Sequence, residues 1–124
     1  MTKQNSVILY VGSDNNAQTI QDQTLVDGWM VYHPEDMEDA LAMHIFEYPD
    51  VVVIEDSSSV EFARDVYGHL TSIHAKNIIL FSDRPQTWGA HDMDVRVAHS
   101  ATDVADIIAE VRSVLCKDSM QLTV

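Results

Sequence analysis

Three things are scarce in this chain of 124 residues, and each scarcity removes a class of function. There is one cysteine, Cys116, so an internal disulfide is excluded and a reducing cytoplasm is the expected home. Basic residues number 7 against 20 acidic ones, a net charge of −13, and a surface of that sign repels phosphate backbones and anionic headgroups. Binding to nucleic acid or to a membrane is therefore not expected. The charge serves mainly solubility, with a basic partner as the alternative. Apolar runs such as 51–54 and 78–81 fall far short of the ~20 residues that a membrane-spanning helix needs. Residues 1–6 are polar with no apolar run of the signal-sequence kind behind them, so no secretory signal is expected.

Chemical motifs are missing too. No Gly-x-Ser-x-Gly elbow, active-site cysteine motif, Gly-x-Gly-x-x-Gly or P-loop occurs, and Gly12-Ser13-Asp14 is too short to cradle a nucleotide. His33, His44, His69, His74, His91 and His99 contain no pair at the i, i+4 spacing that puts two imidazoles on one helix face. A histidine metal site is not expected. His44 reads as a boundary residue on a helix stripe, and Cys116 as a packing residue of the last helix. These patterns call for no catalytic residue and no cofactor.

What is present is an alternation of short apolar runs with helical stripes. Hydrophobic residues make up 46% of the chain, enough for one core spanning about 6–116 of a single domain, with 117–124 as a frayed tail. Strands are predicted at 6–11 (SVILYV), 29–33, 51–54, 78–81 and 94–98. Helices are predicted over 17–26, stopped by Gly28; from Pro34 to Pro49, with Met37, Ala40, Leu41, His44, Ile45 and Tyr48 on its stripe; and from near Val60 to Ile73. Ser100 and Asp103 can cap a last helix carrying Val104, Ile107, Ile108, Val111, Val114 and Leu115. Pro85 and Gly89 break the stretch 83–94 into a loop with at most one short helix, although Trp88 and Met93 are there. Five such strands alternating with helices predict an α/β fold, a five-stranded parallel doubly wound sheet. Its functional crevice lies beyond the carboxyl ends of the strands, at 12–15, 55–58, 82–84 and 98–100.

Residues 48–55 (YPDVVVIE) resemble the Pro-Asp, four apolar residues and acidic acceptor of the response-regulator receiver family, whose fold is flavodoxin-like. Most of the chain can be laid on that pattern. The resemblance implies that Glu55 stands at the phosphoacceptor position and that Gly12 and Ser13 stand where receivers carry a magnesium-binding acidic pair, with Asp14 one place later. Ser82 matches the family's hydroxyl residue after strand 4. The family's Lys after strand 5 falls on Val97, Ala98 or His99, and the fourth helix is short or missing. The chain is therefore similar to an atypical receiver, a pseudo-receiver that has lost metal binding, nucleophile and charge compensation together. Its degenerate pocket comprises Gly12, Ser13, Asp14, Glu55, Asp56, Ser82, Ala98 and His99.

The resemblance implies a non-enzymatic signalling domain of a two-component-type system, working by phosphorylation-independent protein–protein interaction with a kinase, regulator or output protein, or as a homodimer. In receivers the surface around the fifth strand commonly carries output, and here that surface is the most altered. Trp88 is the candidate partner anchor if its ring is exposed, with burial over the sheet edge as the alternative. Two alternatives stay open: a functional receiver with Asp56 as acceptor and a metal held by Asp14, or a small-ligand sensor using the crevice beside Ser13 and Ser82. Glu55 either reaches Ser82 and imitates a phosphorylated Asp or merely ends its strand. Asp14, Glu55, Asp56 and Asp83 could together hold a divalent cation.

Overall fold

Strands that are apolar at every position have to be covered on both faces, and parallel strands joined by helical crossovers achieve that. The computed structural model describes residues 6–57, 60–89, 95–99 and 103–122. It places β1 (Val7–Val11), β2 (Met30–Tyr32), β3 (Val51–Glu55), β4 (Ile78–Phe81) and β5 (Val95–Ala98) in one sheet, in the order β2-β1-β3-β4-β5. Every pairing is parallel. The helices are α1 (Asp14–Gln23), α2 (Met37–Glu47), α3 (Ala63–Ser72) and α4 (Val104–Leu122).

Alternation along the strands sorts the core into two layers. Ile8, Tyr10, Val51, Val53, Ile79 and Phe81 pack with Ile107 and Val111 of α4 and Ile20 of α1. Leu9, Val11, Val52, Ile54 and Leu80 pack with Ala40 of α2 and with Val66 and Leu70 of α3. Burying each such side chain contributes about 1.5–3 kcal/mol, and that gain holds the strand ends in register at the crevice.

The expected five-stranded architecture is present, with shifted boundaries. α1 starts at Asp14 instead of Ala17, because the Ser13 hydroxyl accepts the Asn16 N–H at 3.3 Å and caps the helix earlier. It ends at Gln23. Leu25 and Val26 then fall in a 3-10 turn closed by Gly28 at φ 76°, which leaves both exposed. α2 starts after Asp36, whose carboxylate accepts the Asp39 N–H at 2.8 Å, and not at Pro34. Of its predicted buried stripe only Ala40 is fully buried, while Ile45 and Tyr48 are exposed. Met37 and Met43 pack against the core beside Ala40, so the helix turns a different side inward.

Ile73 caps α3 from outside the buried face, and it too is exposed. Where the family pattern has its fourth helix, the described residues form a 3-10 turn, Pro85–Trp88, closed by Gly89 at φ 68°. α4 continues to Leu122, where a frayed tail from Lys117 was expected; with no Gly or Pro to stop it, a nucleated helix gains one hydrogen bond per added residue. The positions predicted for Ser58, Ser59, His91, Met93, Asp94 and Ser100 lie outside the described residues. Among the described residues, no helix is long and apolar enough to cross a membrane.

Candidate functional site

The carboxyl ends of the strands bring the predicted pocket residues to one rim, but not into one cluster. Gly12 follows β1 above Tyr10, and a side chain there would meet the Tyr10 ring: an added Cβ would sit 2.7 Å from it. The Gly12 carbonyl faces Nε2 of His33 at 2.8 Å, and Nδ1 of the same ring lies 3.0 Å from the Asp14 carboxylate. His33 thus ties the end of β2 to the loop after β1. Ser13 is spent on capping α1, and the Asp14 side chain is 91% exposed, turned away from the sheet.

Glu55 and Asp56 are neighbours in sequence and go separate ways, as successive residues at a strand end must. Glu55 accepts from the Asn16 side-chain amide at 3.0 Å. Its burial pushes its carboxyl above the ordinary carboxylate range, and a Ser13 backbone hydrogen bond opposes that only in part. Asp56 turns toward β4. Its Oδ2 accepts the Ser82 hydroxyl at 2.7 Å and the Trp88 indole N–H at 3.2 Å. Ser82 is buried, and its Oγ also accepts the Arg84 backbone N–H at 3.0 Å while its own N–H donates to the Ala98 carbonyl at 2.9 Å. One hydroxyl therefore joins the ends of β3 and β4 and the turn that follows.

Trp88 is held on both sides. The Arg64 guanidinium lies 4.6 Å from its ring centroid, and the Tyr67 ring meets it edge-on at 5.4 Å. Arg64 also donates to the Thr87 carbonyl at 2.8 Å and the Thr87 hydroxyl at 3.0 Å, so α3 fastens the turn that carries the tryptophan. Trp88, read from the sequence as a partner anchor, is buried, and its N–H is engaged by Asp56. It presents no exposed ring. The physical cause is the shortness of the 3-10 turn, which folds the indole back onto α3 where a full helix would have stood.

At the fifth strand Ala98 supplies only its carbonyl, and His99 stands in solvent with Nδ1 3.4 Å from the Asp83 carboxylate. No lysine cation reaches the rim from β5. Among the described residues, no three His, Cys, Asp or Glu side chains converge in a way that could hold a metal ion. The envisaged grouping of Asp14, Glu55, Asp56 and Asp83 is dispersed: Asp14 faces His33, Glu55 faces Asn16, Asp56 faces Ser82 and Asp83 faces His99. Two hollows open along the rim among the described residues. One of about 530 Å³ is lined by Gly12, Ser13, Asp14, His33 and Phe62 among others, and one of about 370 Å³ by Asp56, Glu61, Arg64, Arg84 and Trp88.

The sequence missed three members of this site. Asn16 falls in the loop before the first predicted helix and Arg64 on the third, and both are polar residues indistinguishable from solvated ones by spacing. His33 was weighed only as a metal ligand, although its position directly after β2 placed it on the rim.

The order of strands and the crevice define the fold class as that of receiver domains. No protein-family model matches the chain, and comparison with curated proteins finds no match. Solved structures do resemble it. The chain is similar to the beryllofluoride-activated NtrC receiver domain, with a TM-score of 0.71 and 13% identity over 94% of this chain and 98% of that one. A two-component response regulator from Clostridium difficile aligns with a TM-score of 0.69 and 13% identity, covering 90% of this chain and 96% of that one. The pseudo-receiver domain of the CikA protein aligns with a TM-score of 0.61 and 14% identity, over 89% and 96% respectively. The neighbours thus include both receivers and a pseudo-receiver, and the likeness is one of fold.

Proposed function

We propose that this chain is a non-enzymatic, receiver-like signalling domain of a two-component-type regulatory system, acting in the cytoplasm through phosphorylation-independent protein–protein interaction. The observation that carries the reading is the 2.7 Å hydrogen bond from Ser82 to Asp56. In a receiver the corresponding hydroxyl answers to a phosphoryl group, whereas here an internal carboxylate already occupies it. Trp88 reinforces the same carboxylate, so the turn after β4 is fixed without any added charge. Glu55, at the acceptor position, points to Asn16 instead of Ser82. The imitation of a phosphorylated side chain, first considered for Glu55, thus falls to Asp56.

The same short distance favours a second reading, in which Asp56 is itself the phosphoacceptor. Phosphoryl transfer to a carboxylate needs cations to offset the charge that develops on the phosphoryl oxygens, and receivers use magnesium and a lysine for this. Arg64 and Arg84 line the hollow beside Asp56. Arg64, however, is committed to Thr87 and Trp88.

Incubation with acetyl phosphate and magnesium, read by intact mass, separates the two readings. The mass is expected to stay unchanged in the wild type. A gain of one phosphoryl group that disappears in Asp56→Asn overturns the proposal.

A further inference from the structure

The second helix carries an apolar surface that the fold leaves open. Ala40 is buried, and Met37 and Met43 pack behind it, while Ile45 and Phe46 are 60% and 74% exposed and Tyr48 at the helix end is 78% exposed. Single exposed apolar residues are ordinary; three large ones within four positions form a patch. The backbone of Tyr48 is a separate observation. It sits at φ 49° and ψ 63°, a left-handed helix end where glycine is the unstrained choice, so an aromatic ring is presented there against the local backbone preference. The helix end is also fastened: the Tyr32 hydroxyl is hydrogen-bonded to Glu47, whose carboxylate holds the phenol above its ordinary pKa.

The segment that carries this patch has formal charge of one sign, with His neutral. No Lys or Arg occurs between Gln4 and Ala63, whereas twelve of the 20 acidic residues fall there. Glu38, Asp39 and Glu47 on α2 are exposed, with Asp50 close behind. A second copy docking here would set acidic surface against acidic surface, and an anionic bilayer would be repelled in the same way.

We propose that the outward side of α2, centred on Ile45, Phe46 and Tyr48, docks a basic amphipathic segment of a partner protein. Its apolar residues seat against the two rings and Ile45, and its Lys or Arg side chains reach the acidic rim, an arrangement in which apolar anchors give affinity and charge gives orientation. The inference rests on the domain being an interaction module and names the surface and the chemistry of its partner. That surface lies on the opposite side of the sheet from α4 and does not involve Trp88.

The test is an NMR titration of the isotope-labelled full chain with a synthetic amphipathic helix of leucine and lysine, against a scrambled peptide of the same composition. Shift changes are expected on residues 42–49, with the scrambled peptide about tenfold weaker or worse. Phe46→Glu and Tyr48→Gly are each expected to weaken binding by about tenfold or more. Tyr48→Gly relieves a strained backbone, so its loss of binding is not a loss of folding, which thermal melting verifies. Equal binding of both peptides, shifts spread over the whole acidic surface, unchanged affinity in both variants, or self-association abolished by Phe46→Glu would each overturn the proposal. Phosphorylation at Asp56 with peptide docking intact contradicts the reading under Proposed function and leaves this one standing. A silent Asp56 without docking on α2 does the reverse.

Discussion

Asp56 is the residue on which the ends of β3 and β4 agree. Ser82→Ala removes the hydroxyl that bridges Asp56 and the Arg84 N–H, leaving groups unsatisfied in a half-buried site. Such a loss costs about 1–3 kcal/mol, and it is expected as a lower melting temperature together with a displaced Trp88 indole N–H resonance. Trp88→Phe keeps the packing against Tyr67 but loses the donor, so its effect is expected to be smaller. Ser82 was legible because it follows an apolar strand at the place where the crevice forms. Trp88 was not, since its donor bond spans 32 positions and no periodicity reports such a contact.

Glu55 gives a pH dependence whose sign is fixed by its cause. Burial raises its folded pKa above the ordinary value of 4.5, so the folded chain holds its proton to higher pH than the unfolded chain does. The stability that results is present below that ordinary value and is lost as pH rises through the folded pKa. Glu55→Gln, which still accepts from Asn16, is expected to raise the melting temperature at neutral pH and to flatten its decline across that window. Burial of His44, helped by His69, works oppositely: its pKa is lowered, so stability is present above 6.5 and is lost as pH falls. Melting curves of the wild type and Glu55→Gln from pH 4 to 8 separate the two contributions.

At the scale of elements, the site depends on how each strand hands over to the next segment. β1 is followed by Gly12, where the Tyr10 ring occupies the space any side chain would need. Gly12→Ala must push a fully buried tyrosine aside, an overpacking that costs about 1–3 kcal/mol, and chemical denaturation is expected to show it as a lower midpoint at an unchanged slope. Strand positions were legible because uninterrupted apolar runs of four or five residues have few other uses. Helix ends were less so. α2 begins after the cap Asp36 rather than at Pro34, and α1 begins after the cap Ser13 rather than at Ala17, choices decided by which side-chain oxygen reaches an amide. The outward Ile45 and Tyr48 were assigned to the core stripe because spacing reports a helical face without reporting whether the sheet extends beneath it.

At the scale of the molecule, alternating strands and helices were enough to predict the parallel doubly wound sheet, and its topology then fixed where functional residues had to meet. The partition of those residues was beyond the sequence. Adjacent Glu55 and Asp56 serve different neighbours, one hydrogen-bonded to Asn16 of α1 and the other joined to Ser82 after β4. The fold is that of the receiver structures it resembles, and under the proposed function the Ser82 hydroxyl is fixed by a carboxylate and an indole of the chain itself.

The most direct measurement of that claim is an amide and indole NMR titration with beryllofluoride and magnesium, which together stand in for an acyl phosphate. The resonances of Asp56, Ser82 and the Trp88 indole are expected to stay where they are at saturating reagent. Saturable movement of those three signals, lost in Asp56→Asn, would show that the hydroxyl is still free to answer a phosphoryl group.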